Sequence, residues 1–265
     1  MNKSFKWNSG LYKNFSQNQL NWGKELIEKL APQTGENILD VGCGNGILTA
    51  EIAKLAAPGK ALGIDSSEDM INSAQQSYSI NDYPNLLFKI CPIERFESKD
   101  AFDGVFSNAS LHWVKDHQLA LKNIYKALRN GGRIVLQFGG KNNAHQVVDA
   151  FEKVINEQKY SPYFNDMEFP WSFLTVEEYK LLLIEIGFTK VDVFMSQKNA
   201  ILNGKQELEG WIRSTWTPYL SRLPEDSIDS FVREVIECFC HENKPSNKGQ
   251  FEVEMFRLNV FARKS

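Results

Sequence analysis

The residues best suited to chemistry lie in one short stretch, where glycines alternate with other residues directly after an apolar run. Asp40 precedes Gly42, Gly44 and Gly46 within residues 37–49. An apolar run of this kind predicts a strand of a parallel sheet covered on both faces. The glycines let the backbone take conformations that a Cβ forbids and let a ligand lie against the main chain. The stretch therefore predicts a strand, a ligand-binding loop and a helix.

The spacing of these glycines argues against a pyrophosphate loop. Dinucleotide-binding turns need a glycine at the sixth position, and counted from Gly42 that position is Ile47. The pattern D-x-G-x-G-x-G resembles instead the first motif of class I S-adenosyl-L-methionine (SAM) methyltransferases. The resemblance implies a doubly wound, Rossmann-like α/β fold: a seven-stranded sheet, mostly parallel with an antiparallel edge hairpin, plus a helical cap. It also implies that SAM is the cofactor and S-adenosyl-L-homocysteine (SAH) the product.

A second acid, Asp65, ends the next short apolar run, where the second strand of a βαβ unit should end. Its carboxylate can accept two hydrogen bonds from vicinal ribose hydroxyls. The alternative is that Asp65 caps the following helix, a task that Ser66 or Ser67 would perform equally well. Asp40 also has two interpretations: a strand-end acid bonded to local amides, or a carboxylate that faces the cationic end of the cofactor.

The segment after the third predicted strand, residues 86–90, departs from the family pattern. In many relatives an aspartate here bonds the adenine amino group, whereas this chain has Pro92. Proline has neither a side-chain acceptor nor an N–H. We therefore expect the backbone of Ile93 or the side chain of Glu94 to contact adenine.

Polar side chains follow the fourth predicted strand, residues 102–107, beside the switch point where doubly wound sheets bind ligands. The run F-S-N-A-S-L-H-W at residues 106–113 resembles the pattern of trans-aconitate methyltransferases, and L-H-W also occurs in juvenile hormone acid methyltransferases. Both groups methylate carboxylic acids. His112 and Trp113 are therefore candidates for positioning the reaction. The alternatives are a structural histidine at a helix start and a core anchor for the next helix.

The opening W-N-x-x-L-Y places Trp7 and Tyr12 before any long periodic pattern. A similar opening in trans-aconitate methyltransferases folds over the bound cofactor, so residues 1–32 are predicted to form a lid. The alternative is that both aromatic side chains plug an edge of the sheet.

These considerations give two sets of candidate residues beside His112. The cofactor set is Trp7, Tyr12, Asp40, Gly42, Cys43, Gly44, Gly46, Asp65, Ser66, Met70, Ile93, Asn108 and Ala109. The substrate set is Trp113, Gly139, Arg213, Trp216 and Tyr219. Arg213, Arg222 and Arg257 are the arginines that could hold an anionic acceptor.

Composition excludes several classes of partner. The 265 residues include 30 Lys+Arg and 33 Asp+Glu, a net charge of -3, which gives no footprint for nucleic acid or an anionic membrane. The four cysteines form no C-x-x-C pair, so we expect reduced thiols, no metal site and a cytoplasmic location. No stretch approaches a membrane span or a signal core. A small molecule is the expected partner, and the protein is expected to be a monomer or homodimer.

One methyltransferase domain is predicted over residues 1–265. Residues 33–140 form its SAM-binding core, and residues 141–265 form the rest of the sheet with an inserted helical cap. The cap occupies about 160–175 and 203–248 and is rich in aromatic residues, which either pack on the sheet or roof a substrate chamber.

Residue chemistry is consistent with methyl transfer. The sequence shows no nucleophile beside a base and no paired carboxylates at catalytic spacing. A carboxylate acceptor is ionised at neutral pH and needs no base, whereas a phenol or amine would need one, with His112 as first candidate. We expect O-methylation of a small carboxylic acid. The alternatives are methylation of a quinone-like or natural-product ring, a nicotinamide dehydrogenase, and a non-catalytic SAM-binding protein.

Overall fold

Strands and helices alternate through the first half of the chain, because short apolar runs are separated by amphipathic stretches and turns. The computed structural model describes residues 13–265, and side chains from residue 20 onward. The elements are α1 (Lys13–Leu30), β1 (Ile38–Val41), α2 (Ile47–Ala56), β2 (Ala61–Asp65), α3 (Glu68–Ser77), β3 (Leu86–Ile90), β4 (Phe102–Asn108), α4 (His117–Ala127) and β5 (Leu128–Gly139). Short 3-10 helices span Ile93–Arg95 and Leu111–Trp113.

The second half contributes more helix and the two remaining strands. Its elements are α5 (His145–Ile155), α6 (Val176–Ile186), β6 (Phe188–Leu202), α7 (Lys205–Thr215), α8 (Thr217–Leu220), α9 (Glu225–Glu242) and β7 (Phe251–Lys264). The bounds of α6 agree with its local signals. Thr175 and Glu178 form a capping box at its start, and Gly187 ends it with φ 110°.

The seven strands form one sheet in the order β3-β2-β1-β4-β5-β7-β6. Parallel pairing joins β3 to β2, β2 to β1, β1 to β4 and β4 to β5, whereas β7 runs antiparallel to β5. The predicted seven-stranded, mostly parallel α/β fold is confirmed. Strand order reverses between β1 and β4, so a crevice is expected beyond their carboxyl ends.

Apolar side chains cover both faces of the central strands. On one face Leu26 and Leu30 of α1 share a buried cluster with Ile38 and Phe106. On the other face a second cluster includes Leu39, Leu136 and many residues of α4 and α6. Because both faces are buried, the strands need no polar alternation, which is why they read as continuous apolar runs.

Apolar runs predict a fifth strand over residues 133–138 and a further strand over residues 191–194, and both strands are longer in the structure. β5 begins at Leu128 rather than Arg133, because Leu128 already pairs with Phe102 before a shift in register around Gly131, whose φ is 80°. β6 continues past Phe194 to Leu202, although most of its second half is polar or exposed. Hydrophobic patterns predict such edge segments poorly, since backbone pairing rather than burial forms them.

The chain folds into two compact units. The larger comprises residues 20–141, 171–196 and 256–265, and the smaller includes residues 142–170 and 197–255. In the smaller unit α5 packs against α9 around an aromatic core. Phe151 lies at its centre, stacked on Trp216 at 4.3 Å between ring centroids and close to Tyr219 at 4.8 Å. The domain limits derived from the sequence stay a prediction.

The described residues include no helix that combines the length and the apolarity needed to cross a membrane.

Candidate functional site

The glycine loop after β1 is tied to the end of β2. The backbone N–H groups of Gly42 and Cys43 both donate to the carbonyl of Ile64, at 2.8 and 3.0 Å. Gly44 has φ 53°, and a Cβ built on it would meet no atom within 4 Å. The loop is therefore fixed at its base and uncovered at Gly44, where a ligand can lie against the main chain.

Gly42 and Gly44 provide a matched pair of substitutions. Gly42 has φ 73°, and its added Cβ would fall 1.7 Å from Ser110 Oγ and 2.2 Å from Ser110 Cβ. We expect Gly42→Ala to lower the free energy of unfolding by about 3 kcal/mol through strain and overpacking. Gly44→Ala should cost only about 1 kcal/mol, because only the backbone conformation is unfavourable. Urea denaturation measures both, and equal losses would contradict the assignment of free space at Gly44.

Asp65 connects the glycine loop to the start of α3. Its Oδ2 accepts the Gly44 N–H and its Oδ1 accepts the Ser67 N–H, each at 2.9 Å. The N-cap of α3 is Ser67, whose Oγ accepts from Met70 N at 3.3 Å. Each carboxylate oxygen keeps a further lone pair. The partly buried carboxylate can therefore hold the loop and still accept hydroxyl hydrogen bonds from a ligand.

Asp40 is buried within β1, with 2 % of its surface exposed. Thr49 Oγ1, on α2, donates to its Oδ2 at 2.6 Å. Burial raises the pKa of Asp40 to about 7, and Asp65 adds to the rise while the Thr49 hydrogen bond opposes it. The carboxyl group therefore titrates near neutral pH. Sequence analysis did not single out Thr49, because nothing in the sequence pattern links a helix threonine to an acid nine residues earlier.

A cleft opens beside Asp65 and Ser66. Its wall includes Pro92 and Ile93, together with Val41, Gly42, Ile64, Cys91, Glu94, Ser110, Trp113 and Val114. Asn123 Nδ2 donates to the carbonyls of Ile93 and Glu94, each at 3.0 Å. The two carbonyls are therefore engaged within the protein, and adenine contact through the Ile93 backbone would fall to its N–H. That contact stays a prediction.

Three further cofactor candidates, Met70, Cys43 and Gly46, are not among the residues that line this cleft. Met70 is 46 % exposed on the first turn of α3, and Cys43 is buried, which raises the pKa of its thiol above the usual range. Gly46 is the N-cap of α2. Trp7 and Tyr12 lie outside the described residues, so their folding over the cofactor stays a prediction. The later part of the predicted lid is helix α1, whose Leu26 and Leu30 pack in the buried cluster with Ile38.

The turn after β4 brings Asn108 and Ala109 to the carboxyl end of the sheet. Ala109 takes the left-handed conformation, φ 56°, which is uncommon for a residue with a side chain. Its N–H donates to the carbonyl of Gln137 at 2.7 Å. The hydroxyl of Ser107 donates to the carbonyl of Val41 at 2.8 Å and fixes β4 against β1. The chain is thereby directed across the switch point towards Ser110.

His112 and Trp113 occupy the 3-10 turn that follows. The Gly139 N–H donates to His112 Nδ1 at 3.3 Å, so this nitrogen acts as an acceptor. Burial, together with the charges of Arg257 and His117, lowers the pKa of His112 to about 3. The imidazole is neutral at physiological pH. Trp113 is 45 % exposed and lies on the cleft wall.

The predicted substrate residues of the C-terminal half belong to the smaller unit. Arg213 donates to Glu209 at 2.8 Å and to Asp229 at 2.7 Å, so its charge is matched there. Trp216 and Tyr219 are each 3 % exposed in the aromatic core, and burial raises the pKa of Tyr219 to about 12. A role for them in substrate binding stays a prediction. The described residues include no group of His, Cys, Asp and Glu that could hold a metal ion.

Fold and cleft together define a class I, SAM-dependent methyltransferase, with SAH as its product. A family model described as a methyltransferase domain matches residues 32–184. This is more than half of the chain, and the protein belongs to that family. The residues present fit the cofactor, since the cleft is lined by Gly42 and by the strand-end carboxylate of Asp65. Asp65 also holds Gly44, whose backbone has open space where a Cβ would lie.

Two relatives and one solved structure extend the comparison. The chain is 27% identical to juvenile hormone acid O-methyltransferase of Drosophila melanogaster, over 97% of this chain and 92% of that protein. It is 28% identical to trans-aconitate 2-methyltransferase of Deinococcus radiodurans, over 82% of this chain and 83% of that protein. A Haemonchus contortus phosphoethanolamine N-methyltransferase 2 structure with S-adenosylhomocysteine aligns with a TM-score of 0.58 at 18% identity. It covers 92% of this chain and 52% of that one.

Proposed function

We propose that this enzyme transfers the methyl group of SAM to a carboxylate oxygen of a small-molecule acid. The observation that carries the proposal is the state of His112, the histidine at the carboxyl end of β4. Its Nδ1 accepts the Gly139 N–H, and its pKa is lowered to about 3. With Nδ1 engaged, Nε2 carries the proton. This ring therefore has no free lone pair with which to accept a proton from an acceptor.

The lack of a free lone pair on this ring matters for some acceptors and not for others. A phenol or an ammonium group must lose a proton before it attacks, and a positioned base normally removes it. A carboxylic acid has a pKa near 4 and is already ionised at neutral pH. A carboxylate acceptor is therefore the class that the geometry at His112 favours.

The chain contributes binding and orientation to this reaction. When bound, SAM supplies a methyl group on a positively charged sulfur that is a good leaving group. We propose that Asp65 accepts the ribose hydroxyls, that Asp40 faces the cationic end and that the loop at Gly44 lies against the cofactor. Trp113 excludes water from one side of the cleft. Holding two reactants in line in this way can supply roughly 7–11 kcal/mol of barrier lowering.

The relatives support the same acceptor class. Both are named for methylation of an acid, juvenile hormone acid in one case and trans-aconitate in the other, although the identities of 27% and 28% do not assign either acid to this chain. A cytoplasmic location and a monomeric or homodimeric state stay predictions.

A labelling panel tests the proposal directly. The protein is incubated with methyl-labelled SAM and a set of metabolite acids, each paired with its primary amide and its alcohol, and with phenols and amines. Labelled ester from an acid, with none from its amide or alcohol, is the expected result. Labelled phenols or amines without any ester would establish the ring-methylating alternative. SAM binding without transfer to any compound would establish a non-catalytic binding protein.

His112→Gln separates a positioning role from general-base catalysis. Glutamine can still accept the Gly139 N–H through Oε1, so we expect kcat at saturating SAM and acid to fall less than about tenfold, whereas loss of a general base costs about 10²- to 10⁴-fold. Because a pKa of about 3 keeps His112 neutral, kcat of the wild type should be flat between about pH 6 and 9. His241→Gln, at an exposed position near the end of α9, is the control. A loss above a hundredfold only in His112→Gln would contradict the proposal.

A further inference from the structure

Arg257, on β7, is a buried cation that no described carboxylate pairs with. Its side chain is 1 % exposed, and Nε and Nη2 are buried without a hydrogen-bond acceptor among the described residues. Burial lowers the pKa of the guanidinium to about 10, so it stays charged at neutral pH. A buried charge with unsatisfied donors destabilises the folded state. A ligand that supplies the acceptors would account for its presence.

Other arginines of the chain have acceptors. The pairs are Arg129 with Asp103, Arg133 with Glu36, Arg213 with Glu209 and Asp229, Arg222 with Asp166, and Arg263 with the carbonyl of Gly131. Arg257 differs from all of these in being both buried and without such a partner in the described part of the chain. Three arginines were candidates for binding an anionic acceptor. Arg213 and Arg222 already pair with carboxylates, whereas Arg257 keeps unsatisfied donors.

Arg257 lies beside the segment that carries His112. In the antiparallel pairing of β5 and β7, Arg257 is opposite Gly139, whose N–H donates to His112 Nδ1. Its charge also contributes to the low pKa of His112. The guanidinium carbon lies 5.9 Å from the centre of the Trp22 ring on α1. The cation is thus placed at the carboxyl end of β5, on the face of the sheet that α1 covers.

The register also relates Arg257 to the end of β4. Asn108 is opposite Gln137, and Gln137 is opposite Asn259, so these side chains and that of Arg257 share one face. Asn108 and Arg257 lie two strands apart in the sheet and are offset by two residues along the strand direction. Their backbones are therefore about 12 Å apart. An arginine side chain and a small acid together can span that distance. Arg257 therefore lies within reach of an acceptor bound next to the turn at Asn108.

We propose that Arg257 is the residue that binds the reacting carboxylate of the acceptor, through the two donors Nε–H and Nη2–H. This inference rests on the proposed function, because it needs an acid as the acceptor. The guanidinium fork matches a carboxylate in a two-point hydrogen bond. Each carboxylate oxygen then keeps a lone pair that faces away from the arginine. The Trp22 ring covers the guanidinium and limits the positions it can take.

The same arrangement favours departure of the product. One carboxylate oxygen forms a bond to the methyl carbon as the carbon–sulfur bond breaks, the electron pair stays on sulfur, and no proton moves. The acid becomes a neutral ester, which can no longer form a charge-assisted pair with Arg257. The ester should therefore bind more weakly than the acid it came from.

Three variants test the inference with the monocarboxylic acid that labels fastest in the panel. Arg257→Met removes the charge and keeps most of the volume, Arg257→Lys keeps the charge and loses the fork, and Arg263→Met alters an exposed arginine of the same strand and face. We expect Arg257→Met to raise the KM for the acid about a hundredfold and Arg257→Lys about tenfold, with Arg263→Met unchanged. Calorimetry with the SAH complex should show matching losses in acid affinity, and SAM affinity should stay within about threefold.

Thermal unfolding without acid separates ligand binding from a structural role. If Arg257 serves ligand binding and not folding, removing its unpaired buried charge should leave the Arg257→Met variant at least as stable as the wild type. An unchanged KM in a folded Arg257→Met variant, a parallel loss of SAM affinity, or unfolding of both Arg257 variants would each overturn the inference. The first result would leave acid methylation intact. Failure of the wild type to label any acid would instead refute the proposed function, and this inference with it.

Discussion

Replacing Asp65 with alanine is expected to weaken SAM binding about a thousandfold, because two charge-assisted hydrogen bonds to ribose hydroxyls are lost. The same carboxylate accepts the N–H groups of Gly44 and Ser67. Its removal would therefore also free Gly44 within the glycine loop, although the Gly42 and Cys43 N–H groups would still hold the base of the loop to Ile64. Both effects weaken the binding of SAM in the cofactor cleft. Isothermal titration calorimetry with SAM and with SAH measures the loss.

Two controls separate ribose binding from support of the loop. Asp69→Ala, on the exposed first turn of α3, should leave the SAM affinity unchanged. Adenosine and 2′,3′-dideoxyadenosine should differ in affinity for the wild type and should not differ for Asp65→Ala. If Asp65→Ala lost affinity for both nucleosides to the same extent, Asp65 would act only by supporting the glycine loop. Unaltered SAM binding in Asp65→Ala would remove Asp65 from the cofactor site.

The parts of the fold that depend on local pattern could be predicted from the sequence. The strand at Ile38–Val41 and the helix Val176–Ile186 were predictable because each is defined by neighbouring residues, an apolar run in one case and a cap with Gly187 in the other. The doubly wound, mostly parallel seven-stranded sheet followed from the resemblance to methyltransferases. The cofactor candidates after β1 and β2 were found in the same way, since their spacing along the chain reflects the βαβ unit.

The properties of Arg257 could not be predicted in this way. From the sequence, Arg213, Arg222 and Arg257 are equally good candidates. No neighbouring residue in the sequence shows which arginine forms an ion pair with a carboxylate in the folded protein and which does not. The distinction arises from contacts across more than a hundred residues, such as the pairing of Arg257 with Gly139 and its approach to Trp22. Long-range pairing also explains why the true ends of β5 and β6 differ from the hydrophobic pattern.

Asp40 is expected to couple SAM binding to the release of a proton near neutral pH. Burial raises its pKa to about 7, so at pH 6 the carboxyl group of the free enzyme is mostly protonated. A cationic ligand beside it favours the ionised form and lowers the pKa. SAM binding at pH 6 should therefore release about one proton, and the apparent Kd should be about tenfold higher at pH 6 than at pH 8.

Asp40→Asn should bind SAM about a hundredfold more weakly at pH 8, and its Kd should no longer vary with pH, because the ionisable group is gone while Thr49 keeps a hydrogen-bond acceptor. Thr49→Val is the matched control. The Thr49 hydrogen bond lowers the pKa of Asp40, so its removal should raise that pKa and move the pH dependence of Kd upward. Calorimetry in two buffers of different ionisation enthalpy counts the released protons. A pH-independent Kd in the wild type between pH 6 and 8 would show that Asp40 does not face the charge of the cofactor.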